Sequence, residues 1–170
     1  MTLRPYAAAD LEALLLQPAQ AHLQGQLAGH GYAQALEACE AYTCLVQGRV
    51  IACLGLYRLH PGRALAWALI ARDAGRHFSA LHRAARRYLR ECRITRIEAH
   101  VDSDFAAGHR WLRLLGFERE TPQGMRGFTP DGRTCDLYAR VAPSIESRGA
   151  PPVPPAQPQA KHNPAQPCAC

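Results

Sequence analysis

Between Ala64 and Phe117 the hydrophobic pattern switches between strand and helix period three times, and this order of elements restricts the possible folds. It opens on an apolar run, Ala64–Ala71, too short to span a membrane and suited to a strand buried on both faces. Arg72-Asp73-Ala74-Gly75-Arg76 then reads as a glycine-bearing turn. From His77 to Cys92 the spacing predicts an amphipathic helix. Phe78, Leu81, Ala85, Tyr88, Leu89 and Cys92 share one face, and His82, Arg83, Arg86, Arg87 and Arg90 share the other. A strand follows over Ile94–Val101, where Ile97, Ala99 and Val101 alternate with Arg96, Glu98 and His100. Asp102-Ser103-Asp104 offers N-caps for a helix over Asp104–Leu115, which Gly116 ends.

The flanking chain supplies the rest of a sheet. Thr2–Pro5 reads as a first strand, and Asp10 as the cap of a helix carrying Leu11, Leu14 and Leu15. Pro18 marks a boundary, with helices expected over Ala21–Leu27 and Tyr32–Cys39. Tyr42–Val46 and Val50–Leu59 form a hairpin around Gln47-Gly48-Arg49, and His60–Arg63 turns into the Ala64–Ala71 strand. Phe117 opens another strand. Thr129-Pro130-Asp131-Gly132 is a turn, and Thr134–Val141 alternates as the last strand. The expected fold is mixed α/β (α+β), a mostly antiparallel sheet flanked by helices, in one domain over residues 1–142. Eight of the 13 prolines lie beyond Val141, and residues 143–170 read as a disordered Pro/Ala/Gln-rich tail.

Net charge is +6, but 19 of the 20 basic residues are Arg, which points to coding bias rather than to a nucleic-acid partner. The basic row on the long helix reads accordingly as a solvated face. The seven cysteines include no Cys-x-x-Cys pair, and Cys39, Cys44, Cys53, Cys92 and Cys135 fall among apolar residues. They read as small hydrophobes in a reducing compartment. The opening residues lack the charged and apolar regions of a secretory signal, and no membrane span is expected. Cys168-Ala169-Cys170 with a distant His162 is too sparse a set for a metal site.

Strand, Arg72–His77 turn, helix, strand, helix and Gly116-Phe117 together resemble the coenzyme-A-binding half of the GCN5-related N-acetyltransferase (GNAT) superfamily. The resemblance implies acetyl transfer from acetyl-CoA to an amine on a small molecule or protein. The family's pyrophosphate signature, Gln/Arg-x-x-Gly-x-Gly/Ala, aligns with Arg72-Asp73-Ala74-Gly75-Arg76-His77; Arg72 and Gly75 agree and His77 departs. A helix N-terminus and a glycine are physically suited to a pyrophosphate whatever the family. The implied cofactor-binding residues are Leu69, Ile70, Arg72, Ala74, Gly75, Arg76 and His77, with the pantetheine arm pairing along the Ala64–Ala71 strand. The family's usual acid, a Tyr four residues before the Gly-Phe pair, is Leu112 here, and the Asn opening the same helix falls at Phe105. The Ala64–Ala71 strand carries no carboxylate. Glu98, His100 and Tyr138 are therefore the expected catalytic substitutes.

A narrower resemblance rests on Trp67, His109-x-Trp111, Leu115-Gly116-Phe117 and the Thr129–Gly132 turn. These are similar to small acetyltransferase-like proteins of tailed phages, among them an internal virion protein. That likeness implies an alternative: a virion or accessory protein with weak or no catalysis, residing in the bacterial cytoplasm or the particle beside other virion proteins.

Overall fold

The computed structural model describes residues 1–27 and 31–142; the predicted tail lies outside the described residues. Seven strands form one sheet: β1 (Thr2–Pro5), β2 (Glu40–Val46), β3 (Arg49–His60), β4 (Arg63–Ile70), β5 (Arg96–Asp102), β6 (Glu118–Arg119) and β7 (Cys135–Val141). Their order is β1-β2-β3-β4-β5-β7-β6. Every pairing is antiparallel except β4 with β5. That parallel step needs a crossover, which α4 (Phe78–Glu91) provides. The expected mixed, mostly antiparallel sheet is what the chain forms.

Helices cover both faces. Asp10 of α1 (Ala8–Glu12) bonds Thr43, whereas Tyr88 of α4 bonds Glu40 and packs edge-on against Tyr42. Tyr42 and Thr43 are neighbours on β2 and point to opposite faces, so α1 and α4 lie on opposite sides. The short α2 (Gln24–Leu27) and α3 (Tyr32–Ala35) follow α1 in sequence. On the α4 side, α5 (Ala106–Leu114) reaches β7 through His109 and Tyr138. No helix among the described residues is long and apolar enough to cross a membrane.

Local chemistry explains most element boundaries. Gln47 and Gly48 both take positive φ (50° and 77°), a two-residue hairpin turn, so β3 starts at Arg49. At Gly116 φ is +86°, and Phe117 N–H donates to the Leu112 carbonyl, closing α5 with a left-handed cap. Three expectations need correction. Asp10 is the third residue of α1 rather than its cap; it accepts from Ala7 N–H while Arg4 and Thr43 also bond it. Asp102 folds back on Asp104 N–H, and α5 starts after Phe105 with no side-chain cap. Leu65–Ala68 are only half-buried, and from Ala66 onward β5 no longer pairs with β4.

Glycine matters most at Gly55. A Cβ there would lie 2.6 Å from the Glu40 carbonyl and 2.8 Å from Ala41 Cα, both backbone atoms of β2. At Gly75 the same atom would meet nothing within 4 Å. We expect Gly55→Ala to lower unfolding free energy by about 1–3 kcal/mol, and Gly75→Ala to change it by no more than about 0.5 kcal/mol. Denaturant midpoints check both; an unaffected Gly55→Ala would mean that β2 yields without cost.

Candidate active site

β4 and β5 pair only from Arg63–Leu65 to Arg96–Glu98 and then separate. A cleft of about 440 Å³ opens between them, in the size range of small-molecule sites. Gln20, Trp67, Phe78, His100, Trp111 and Phe128 are among its lining residues. The walls are largely apolar. Phe78, which opens α4, meets Trp111 of α5 edge-on with ring centroids 5.1 Å apart. Trp67 leans on Tyr6 at 5.8 Å. Both indole nitrogens, Trp67 Nε1 and Trp111 Nε1, are buried with no hydrogen-bond partner among the described residues. Unpartnered buried donors are rare in folded proteins.

The edge of β4 that β5 leaves is partly covered by the chain itself. Leu16 bridges Ala71, Gln17 N–H donates to the Ile70 carbonyl (2.9 Å), and Arg72 N–H donates to Leu15 (2.9 Å). Gln20 completes this strap. Its Nε2 donates to the Ala68 carbonyl at 2.7 Å, and its Oε1 accepts the Ile70 N–H at 3.0 Å. One carboxamide thus substitutes for a residue of a neighbouring strand. The polar stretch after Pro18 gave no sequence signal for this, because the bonded residues lie 48 and 50 positions apart.

At the end of β4 a 3-10 turn, Ala74–His77, precedes α4, and no side chain caps the helix. Asp73 is paired with Arg49, which draws its carboxylate toward the β2–β3 hairpin. Arg72, Gly75 and Arg76 are exposed, and Arg76 Nε donates to His77 Nε2 (3.1 Å). Leu69, Ile70 and Ala74 are buried, so only backbone groups could serve a ligand there.

Glu98 and His100 point to the same face of β5 as Arg96. Glu98 is 4% exposed and accepts from Arg63 at 3.0 and 2.8 Å and from Arg96 at 2.5 Å. The Arg63 guanidinium, helped by Arg96, holds its carboxyl below the usual range against the opposing effect of burial. His100, exposed on β5, lines the cleft and lies tilted against Phe128, centroids 4.5 Å apart. Desolvation lowers its pKa, with the Glu98 charge working the other way. A lowered imidazole pKa keeps more of the ring neutral and makes it a weaker base.

Tyr138 lies elsewhere. Its register partner is Ala99, between Glu98 and His100, so its side chain takes the opposite face. It is 1% exposed, and its hydroxyl meets His109 Nδ1 at 3.0 Å. His109 Nε2 lies 3.1 Å from the Ser103 carbonyl and 3.5 Å from Asp136 Oδ2. A carbonyl only accepts, so Nε2 carries the proton and Nδ1 accepts from Tyr138. Arg119 bonds the other Asp136 oxygen at 2.8 Å. The structure therefore brings Glu98 and His100 to one face and Tyr138 to the other. Leu112, in the position of the expected acid, lines the cleft. Among the described residues no His, Cys, Asp and Glu cluster could hold a metal ion.

No protein-family model matches the chain, and no curated protein matches it by sequence. Solved structures do match. Ard1 from Thermoplasma volcanium superposes with a TM-score of 0.65 at 16% identity, over 84% of this chain and 98% of its own. A ribosomal-protein-alanine N-acetyltransferase from Brucella melitensis gives 0.62 at 16% identity, covering 84% of this chain and all of the other (100%). An acetyltransferase of the GNAT family from Bacillus anthracis gives 0.59 at 11%, over 82% and 93%. Strand order, the β4–β5 separation and these superpositions together establish that the chain has the GNAT fold.

Proposed function

We propose that this chain transfers an acetyl group from acetyl-CoA to an amine of a small molecule or protein, in the cleft between β4 and β5. The observation that carries this reading is the opening of that cleft along a strand edge, beside two unpartnered indole N–H groups. A pantetheine arm is narrow and bears two amides, which suits a strand edge and the donors of Trp67 and Trp111. Arg72 and Arg76, exposed at the turn before α4, suit its diphosphate. When bound, acetyl-CoA supplies the activated thioester.

The protein's own contributions follow from placement. His100, neutral and on the cleft wall, accepts the proton of the acceptor ammonium. Glu98, ion-paired and off the wall, orders β5 beneath His100. Leu112 offers no proton, so transfer is slow. Gln20 must release the Ala68 carbonyl before an arm can pair fully along β4. A second reading, a virion or accessory protein without catalysis, is favoured by that same Gln20 contact and by the apolar Leu112.

Calorimetry with coenzyme A separates the two readings: coenzyme at a hundred times its Kd should stabilise the fold by about 2.7 kcal/mol. An unchanged melting curve at millimolar coenzyme would remove the enzyme reading. Gln20→Ala should tighten that binding, since two edge groups become available; weaker binding would show that Gln20 supports the site.

His100→Ala should slow turnover by about 10²–10⁴-fold with coenzyme affinity unchanged. In the parent enzyme the acid limb of the rate profile should fall below the ordinary imidazole value of about 6.5, because desolvation disfavours the protonated ring. A pH-independent rate would exclude His100 as the acceptor.

Glu98→Gln should act first on stability, at about 1–3 kcal/mol, toward the low end because water reaches both guanidiniums. The folded pKa of Glu98 lies below its unfolded value, so this stability is present above about pH 4.3 and is lost as pH falls through the lower folded pKa. Urea titrations of parent and variant at neutral and acid pH should converge as the pH drops; a constant difference would contradict the ion-pair account.

A further inference from the structure

Arg83, Arg86, Arg87 and Arg90 all project from the exposed side of α4, opposite the buried Leu81, Ala85 and Leu89. None of the four has an ion-pair partner among the described residues. Arg4, Arg49, Arg58, Arg63, Arg96, Arg119 and Arg133 are each matched to a carboxylate; Arg72, Arg76, Arg93, Arg110, Arg113, Arg126 and Arg140 are not, but only the α4 row sets four such residues along one helix face. The row also lines a groove of about 600 Å³ beside Met1 and Leu3 at the β1 edge of the sheet, and no carboxylate lines it. Like charges three and four residues apart repel along a helix, so the arrangement weakens α4 unless an anion neutralises it.

We propose that this groove is a second site, binding the phosphate backbone of a nucleic acid without regard to sequence. From Arg83 to Arg90 the helix rises about 10 Å, comparable to the three steps of about 3.4 Å that separate four phosphates along one strand. Guanidinium forks bond phosphate oxygens in pairs. A protein partner would need an apolar centre to its interface, and the groove's apolar lining is limited to Met1, Leu3 and Ala84. The net charge of +6 adds long-range attraction for a polyanion. The cleft is lined by Phe78, Ala85, Tyr88 and Leu89 from the other side of α4, so the site neither uses nor blocks it.

The test is fluorescence anisotropy of the full chain with a labelled DNA duplex and a labelled single-stranded RNA, at 50 and 200 mM salt. Four phosphate contacts should weaken duplex binding roughly 100-fold between those salts. R83Q/R86Q/R87Q/R90Q should lose the binding and most of its salt dependence, while replacing the same four residues with Lys should retain both. R110Q/R113Q on α5, which removes charge elsewhere, should bind like the parent. Tighter binding of one probe identifies that nucleic acid as the source of the phosphates. The proposal fails if the Gln set binds like the parent, if the Lys set loses binding as the Gln set does, or if polyglutamate binds more tightly than either nucleic acid. Matching thermal unfolding of parent and variants keeps a loss of binding distinct from a loss of fold.

Discussion

Glu98 sits at the last position where β4 and β5 pair, and its carboxylate ties the two strands together there. Arg63 comes from the first residue of β4 and Arg96 from the first residue of β5. Both charges reach one buried carboxylate, which makes these the stronger kind of hydrogen bond. Arg96 also grips Glu120 beyond β6, so the anchorage extends toward the far edge of the sheet. Past this point the two strands no longer pair, and β4 ends toward Ala71 while β5 continues toward α5. The cleft depends on that contrast between a pinned base and an open upper half.

An opened sheet exposes backbone groups that need partners, and an unpaired edge invites unwanted pairing. Here the Leu15–Gln20 strap answers part of that demand, with backbone at Ile70 and Arg72 and a side chain at Ala68. On the wall formed by α5, the demand is met differently. Gly108 lets the helix approach so closely that a Cβ would lie 2.6 Å from Val101 Cγ2. The contact of His109 with the Tyr138 hydroxyl then ties α5 to β7. Trp111 is carried on that seated helix, so its indole faces the cleft from a fixed support. Binding sites work best when the residues behind them are locked in this way.

Much of the architecture was legible from residue order. Periods of two and 3.6 located the strands and α4, Gln47-Gly48 marked the hairpin, and Gly116 marked the end of α5. These features obey local rules, each decided by side-chain alternation or by the φ that a turn requires. The turn before α4 was legible for the same reason, and so was the alternation that sets Glu98 and His100 on one face. The GNAT resemblance then supplied an element order that the superpositions support.

The sequence by itself determined the elements, their order and which residues share a face. Only the tertiary structure decided what those faces meet. Asp10 became the third residue of α1, where it accepts from Ala7 N–H and also from Arg4 of β1 and Thr43 of β2. Glu98 gained two guanidinium partners, one of them Arg63 from 35 residues away. Tyr138 turned to the opposite face through a register that no local pattern encodes, and Gln20 found β4 across about fifty residues. The arginine row on α4 was visible from the start, but its lack of carboxylate partners among the described residues was not. Local periodicity depends on neighbouring residues alone, whereas a partner is chosen by which distant segments the sheet brings within hydrogen-bond reach.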